Sequence, residues 1–228
     1  MAATIAIVDY CKGNLASVQR GLADAGFDAR ITGSAADIRA ADGIVLPGVG
    51  AFADAMTTMN ETGQTEAIQG AVADGAPFLG ICLGLHLLFE WGDEGVAEGQ
   101  RMAGLGLLEG HIERVAAYDA AGVKHKVPHV GWNSVEFARL ALAADGSYLS
   151  SCPLLSGIPD SSYFYFTHSY AVRAGRADDI VATTTHAVRF TSAVARGTVF
   201  GVQFHPEKSS RLGLAVLENF GHIVEEGA

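Results

Sequence analysis

The chain has 228 residues, 49% of them apolar and 18% charged, with a formal net charge of −10. That length suits one large domain, and that apolar share leaves no room for a disordered half. The acidity argues against nucleic acid or an anionic membrane as the main partner. The three cysteines, Cys11, Cys82 and Cys152, lie far apart without CxxC spacing, which argues against a disulfide framework or a zinc site.

The first residues lack a basic n-region and pass directly into a strand-like run, and no apolar run reaches transmembrane length. A soluble protein of a reducing cytoplasm is therefore expected, bound to neither membrane nor nucleic acid. Residues 4–9 read as a buried strand. Asn14 is placed to cap a helix that carries Leu15, Val18, Leu22 and Ala25 and stops at Gly26. Strands are expected over 27–31 and 43–46, with a helical turn around Ile38 between them. Buried strands alternating with helices predict a parallel sheet with right-handed crossovers.

Pro47-Gly48-Val49-Gly50-Ala51-Phe52 then joins a strand to a helix, where open α/β sheets place ligands. It lacks the Lys-Ser/Thr and the spacing of a phosphate loop. Its glycines could let a peptide unit rotate so that an N–H points at a substrate carbonyl, although a simple turn would look the same. Helical periodicity follows at Met56 and Met59 and, past Gly63, at Ala67, Ile68 and Val72. Residues 76–79 are a buried strand, and Leu85, Leu88 and Phe89 mark a short helix.

Residues 92–104 are polar and Gly-rich, as expected of a surface loop. Beyond Leu105 the pattern changes to shorter strands over 111–116, 132–137, 163–166, 181–184, 190–195 and 199–204. This predicts an antiparallel or mixed extension of the same sheet, with no second domain. Residues 138–144 have the composition of a helical insertion. An amphipathic helix over 211–224 closes the chain, with Leu212, Ala215, Val216, Phe220 and Ile223 on its apolar stripe.

Between strand 76–79 and its helix stands Gly80-Ile81-Cys82-Leu83-Gly84, which has the form of a nucleophile elbow. Glycines on both sides let the backbone turn close to its neighbours. Amides at a helix start can lower a thiol pKa and hold a developing oxyanion. Alone, Cys82 could equally be a buried core thiol. The strand 199–204 ends in His205-Pro206-Glu207, where an imidazole can move the thiol proton and a carboxylate two residues on can orient it. Together these residues point to acyl transfer from an amide or thioester.

The elbow and His-Pro-Glu resemble the triad of class-I glutamine amidotransferases. The segments Pro47-Gly-Val-Gly-Ala-Phe52, Pro128-His-Val-Gly-Trp-Asn133, Tyr163-Phe-Tyr-Phe-Thr-His-Ser-Tyr170 and Gln203-Phe-His-Pro-Glu-Lys-Ser-Ser210 are similar to those of the glutaminase subunit of imidazole glycerol phosphate synthase. The resemblance covers nearly the whole chain. It implies one flavodoxin-like domain over residues 1–228, with a core of about 4–226 and a mixed, mainly parallel sheet between flanking helices. It implies no cofactor and no metal.

The same resemblance implies roles for individual residues. Cys82 attacks the side-chain amide of glutamine, His205 acts as base and then acid, and Glu207 orients it. Leu83 and, after a backbone adjustment, Val49 supply oxyanion amides, while Gly50, Glu94, Ser169 and Tyr170 contact the substrate. Ammonia passes to a (β/α)8-barrel cyclase subunit in a heterodimer whose hydrolase and lyase activities make imidazole glycerol phosphate. Asn14, Trp132 and Lys208 match that interface. The chain departs from the family at His86, where a glutamine is usual. Histidine can still donate or accept, so His86 is expected to contact glutamine with a different pH response. Residues 140–153 look longer than usual for the family. Two other readings stay open on sequence alone: a stand-alone γ-glutamyl hydrolase of the same fold, and a catalytically silent binding protein.

Overall fold

The computed structural model describes residues 3–138, 140–142 and 148–227. The first part runs β1 (Thr4–Val8), α1 (Leu15–Asp24), β2 (Asp28–Thr32), α2 (Ala35–Ala40), β3 (Gly43–Gly48), α3 (Phe52–Glu61), α4 (Gln64–Ala73), β4 (Phe78–Cys82) and α5 (Leu83–Leu87). Next come β5 (Trp91–Gly92), β6 (Met102–Ala103), β7 (Gly110–Arg114), β8 (His129–Phe137), β9 (Leu140–Leu142) and β10 (Tyr148–Ser150). The chain closes with β11 (Ser162–His168), β12 (Tyr170–Ala174), β13 (Ile180–Thr185), β14 (Arg189–Arg196), β15 (Val199–Val202) and α6 (Ser210–Gly227).

One sheet carries the fold, in the order β2-β1-β3-β4-β15-β14-β12-β7-β5-β6, with β13, β8 and β11 branching from β14. The pairs from β2 to β15 are parallel, and β14 turns the sheet antiparallel. Of the parallel strands, β1, β3, β4 and β15 are buried on both faces, which is why they read as apolar runs, whereas the edge strand β2 is partly exposed. In β3, Val45 packs with Val18, Leu22 and Phe220 of α1 and α6, while Ile44 and Leu46 pack with Ile38, Met56 and Ile68 of α2, α3 and α4. Each strand thus divides its side chains between two cores. Gly63 separates α3 from α4 at φ +72, a conformation glycine adopts without a Cβ penalty.

The mixed, mainly parallel sheet with an antiparallel extension is as the sequence predicts. Some details differ. Asn14 occupies the N-cap position of α1 but makes no capping bond, because its amide is turned toward Glu207. The surface loop over 92–104 is largely exposed, yet its ends pair as β5 and β6. The helical insertion over 138–144 is wrong at Leu140–Leu142, which pairs antiparallel with Tyr148–Ser150. Pairing with a second strand overrides the helical preference of Leu and Ala there. Residues 139, 143 and 144 of that expectation lie outside the described residues. Among the described residues, no helix is long and apolar enough to cross a membrane.

Candidate active site

Parallel strands β3, β4 and β15 end side by side, with Gly48 opposite Cys82 and Val202 opposite Ile81. Cys82 is the junction between β4 and α5, at φ +54 and ψ −103. A non-glycine residue held there stores on the order of 1–3 kcal/mol of backbone strain, which packing must hold in place. The packing is tight: a Cβ on Gly84 would collide with the Leu46 carbonyl oxygen. The result is a thiol, 5% exposed, at the floor of a cleft.

His205 follows the adjacent strand. Its backbone N–H donates to the Tyr165 carbonyl at 2.9 Å, and its own carbonyl accepts the Ser209 hydroxyl at 2.6 Å. The ring is fixed through Nδ1, 2.9 Å from Glu207 Oε1, with both side chains at most 2% exposed. Asn14 Nδ2 donates to the same Oε1 at 3.3 Å. Burial alone would lower the His205 pKa, but hydrogen bonding and charge at Cys82 and Glu207 outweigh it and raise the pKa to about 9. His205 Nε2 makes no well-formed hydrogen bond among the described residues, yet the Cys82 side chain raises its pKa, first as a hydrogen-bonding partner and then through charge. Cys82, His205 and Glu207 therefore form one buried, coupled unit.

The cleft over Cys82 has a volume of about 300 Å³ and is lined by Val49, Gly50, Leu83, His86, Glu94, Pro128, Thr167, His168, Ser169 and Tyr170. All the expected oxyanion and substrate residues are thus on one wall or another. Glu94 reaches across from its loop, accepting the Phe52 N–H of α3 at 3.3 Å, and burial raises its pKa. A cleft of about 380 Å³ beside β1, β2 and α2 is larger but holds no cysteine or histidine.

His86 is buried in α5, with Nε2 2.8 Å from Gln203 Oε1. Burial pushes its pKa down to about 4, against the opposing pulls of Gln203 and the Tyr170 backbone. The sequence reading missed Gln203, Thr167, His168 and Tyr10. Gln203 is fully buried with Nε2 3.7 Å from Cys82 Sγ, and the thiol faces the Thr167 carbonyl at 3.8 Å. Tyr10 has a buried hydroxyl without a hydrogen bond among the described residues, and burial, then charge at Cys82, raises its pKa. The Pro-His-x-Gly-Trp-Asn and Thr-His-Ser-Tyr motifs were the only signals for His129 and His168 respectively.

Those two motifs meet in a polar chain. His168 Nδ1 donates to the Tyr170 carbonyl at 2.7 Å, so its Nε2 must accept from His129 Nδ1 at 3.0 Å. His129 Nε2 then accepts from Asn133 Nδ2 at 3.3 Å. Each ring is fixed as a neutral tautomer. Burial, then the neighbouring His186, lowers His129 to about 4, and burial lowers His168 to about 3.

Trp132 and Lys208 lie outside this unit. Paired residues of β8 and β11 share a face, and the outward face shows Val130, Trp132 and Tyr163, each more than half exposed. Trp132 meets the Tyr165 ring edge-on at 6.3 Å, and Lys208 Nζ lies 5.9 Å from the same ring centre. Thr167 joins this face to the cleft.

Comparison with known proteins fits the geometry. The class-I glutamine amidotransferase family model matches residues 6–224. A Moorella thermoacetica protein named imidazole glycerol phosphate synthase subunit HisH is 46% identical over 96% of this chain and 95% of its own. Proteins of the same name from Desulfitobacterium hafniense and Halalkalibacterium halodurans are 44% and 41% identical over 98% of this chain, and 96% and 97% of theirs. Among solved structures, PurLQS from Thermotoga maritima aligns with a TM-score of 0.71 at 17% identity, covering 98% of this chain and 99% of that one. A putative GMP synthase subunit from Thermoplasma acidophilum gives 0.68 at 17% identity, over 99% and 96%. At such identities the structures speak for the fold alone.

Proposed function

The chain belongs to the class-I glutamine amidotransferases and, within them, to the HisH subunits of imidazole glycerol phosphate synthase, and from that premise we propose how its cleft works. The protein hydrolyses glutamine to glutamate and ammonia. Cys82 Sγ attacks the carboxamide carbon, and the Leu83 and Val49 amides receive the negative charge that develops on oxygen. His205, whose raised pKa keeps its proton at neutral pH, hands that proton to the leaving nitrogen. Ammonia leaves and a γ-glutamyl thioester remains. The now neutral imidazole takes a proton from water, which attacks the thioester and releases glutamate and the thiolate. Glu207 keeps Nδ1–H in place throughout and favours the charged ring.

Glu94, Gly50, Ser169 and Tyr170 hold the amino-acid end of glutamine, and His86 offers the cleft its remaining ring nitrogen. The partner is the (β/α)8-barrel cyclase subunit, which takes the ammonia within a heterodimer and carries out the lyase step of the synthase. It docks on the apolar face of Val130, Trp132 and Tyr163, with Lys208 beside it and Asn14 near the rim. The reaction belongs to histidine biosynthesis in the cytoplasm.

The observation that supports this reading best is the buried His205–Glu207 pair, 2.9 Å apart, beside a strained cysteine at the floor of the cleft. The test is a glutaminase assay of the full chain with and without the cyclase partner and its nucleotide ligand. Turnover is expected to be weak alone and to rise on addition. Cys82→Ala is expected to remove it, a loss of at least about 10⁴-fold. Brisk activity without a partner would favour a stand-alone hydrolase, and unchanged activity in Cys82→Ala would refute the mechanism.

A further inference from the structure

His86 and Cys82 do not touch directly but share a neighbour. Gln203, the first residue after β15, puts one end of its carboxamide on each: Oε1 is 2.8 Å from His86 Nε2, and Nε2 is 3.7 Å from Cys82 Sγ. All three side chains are at most 5% exposed, so water does not substitute for any of these contacts. A carboxamide has one accepting and one donating end. Which end meets the sulfur decides whether a thiol or a thiolate is favoured there.

We propose that Gln203 is a catalytic residue that donates an N–H to Cys82 Sγ, and that His86 is the positioning residue that fixes the sense of this bond. His86 carries its proton on Nε2 and gives it to Gln203 Oε1, which leaves the carboxamide NH₂ aimed at sulfur. A reversed carboxamide would set its oxygen against the sulfur and disfavour the thiolate. The bond helps twice: it stabilises the thiolate before attack, and again when sulfur leaves as water breaks the thioester. Burial keeps His86 neutral, so it retains a donor on one nitrogen and an acceptor on the other. In this reading, a histidine three residues after the leucine of the elbow contributes by steering the nucleophile as well as by lining the cleft.

The inference rests on the amidotransferase mechanism above, but its test needs no glutamine. The readout is the pH dependence of Cys82 alkylation by iodoacetamide in the full chain, followed on the Cys82 peptide by mass spectrometry so that Cys11 and Cys152 do not interfere. Other titratable groups face or adjoin the sulfur: His205 and Glu207 after β15, Tyr10 after β1, His168 on β11, and Glu94 on the cleft wall. They stay constant across the variants.

Gln203→Met removes the donor at similar volume and is expected to raise the alkylation midpoint by about one pH unit. His86→Leu removes the orienting proton and is expected to shift it the same way by less. His86→Gln can again donate to Oε1 and is expected to return the midpoint to that of the native chain. An unmoved midpoint in Gln203→Met, or equal midpoints in His86→Leu and His86→Gln, overturns the proposal. The His86 pair reads the same contact should Gln203→Met not fold. A chain that alkylates as expected but does not hydrolyse glutamine would instead contradict the function proposed above.

Discussion

Two sets of imidazoles flank Cys82, and they are held in opposite states. On the β15 side His205 sits against Glu207, and its pKa rises to about 9. On the other side His86, His129 and His168 sit against neutral partners, and burial lowers them to between about 3 and 4. Burial is nearly the same in both sets, so it does not decide the outcome. A carboxylate and the nucleophile itself favour the charged ring, whereas the carbonyl and amide partners of the other set offset too little of the desolvation cost and the neighbouring histidines add to it. The same residue type therefore gives a proton donor on one wall of the cleft and a fixed, uncharged polar chain on the other.

Removing the carboxylate should break this contrast most severely. Glu207→Gln keeps the shape but loses the charge that holds imidazolium, and kcat is expected to fall by about 10³–10⁴-fold. The basic limb of the pH–rate profile should move down toward the ordinary histidine range, and steady-state assays across pH would show it.

A smaller effect separates the two sets by stability. The neutral histidines have folded pKa values below the unfolded 6.5, so the unfolded chain binds more protons as the medium acidifies. Stability is expected to drop as pH falls from about 6.5 toward about 4. His205 acts in the opposite sense: its raised pKa contributes stability that is complete below about 6.5 and is lost as pH rises through about 9. Thermal melts from acid to alkaline pH would show both slopes. His129→Phe, which fits among Phe166 and Phe190, should flatten the acid slope only.

The smallest change sharpens the first set. Asn14→Ala removes the second donor to Glu207 Oε1 and is expected to lower kcat by about 3- to 10-fold, with KM for glutamine unchanged. If Asn14 acts only at the partner face, cyclase affinity would fall instead and kcat at saturating partner would not change.

The parallel half of the molecule was legible because β1, β3 and β4 are buried on both faces and read as plain apolar runs. The elbow was legible because a cysteine between glycines at a strand–helix junction has few structural uses. The antiparallel half was harder. β12 follows β11 with a single residue between, Ser169, and no turn signal separates them. β9 contains Leu and Ala, which favour helix until a partner strand pairs with them. Gln203 was invisible as a functional residue because it follows an ordinary strand. Its meaning comes from contacts with Cys82 and His86, each more than a hundred residues away in sequence. Trp132 would be a core aromatic by residue type, yet it stands half exposed on the outward face of β8.

The most direct measurement is acid-quenched mass spectrometry of the chain during glutamine turnover with its cyclase partner. A γ-glutamyl adduct on the Cys82 peptide, absent from Cys82→Ala, is predicted. Turnover with no adduct, or an adduct on Cys11 or Cys152 in place of Cys82, would contradict it.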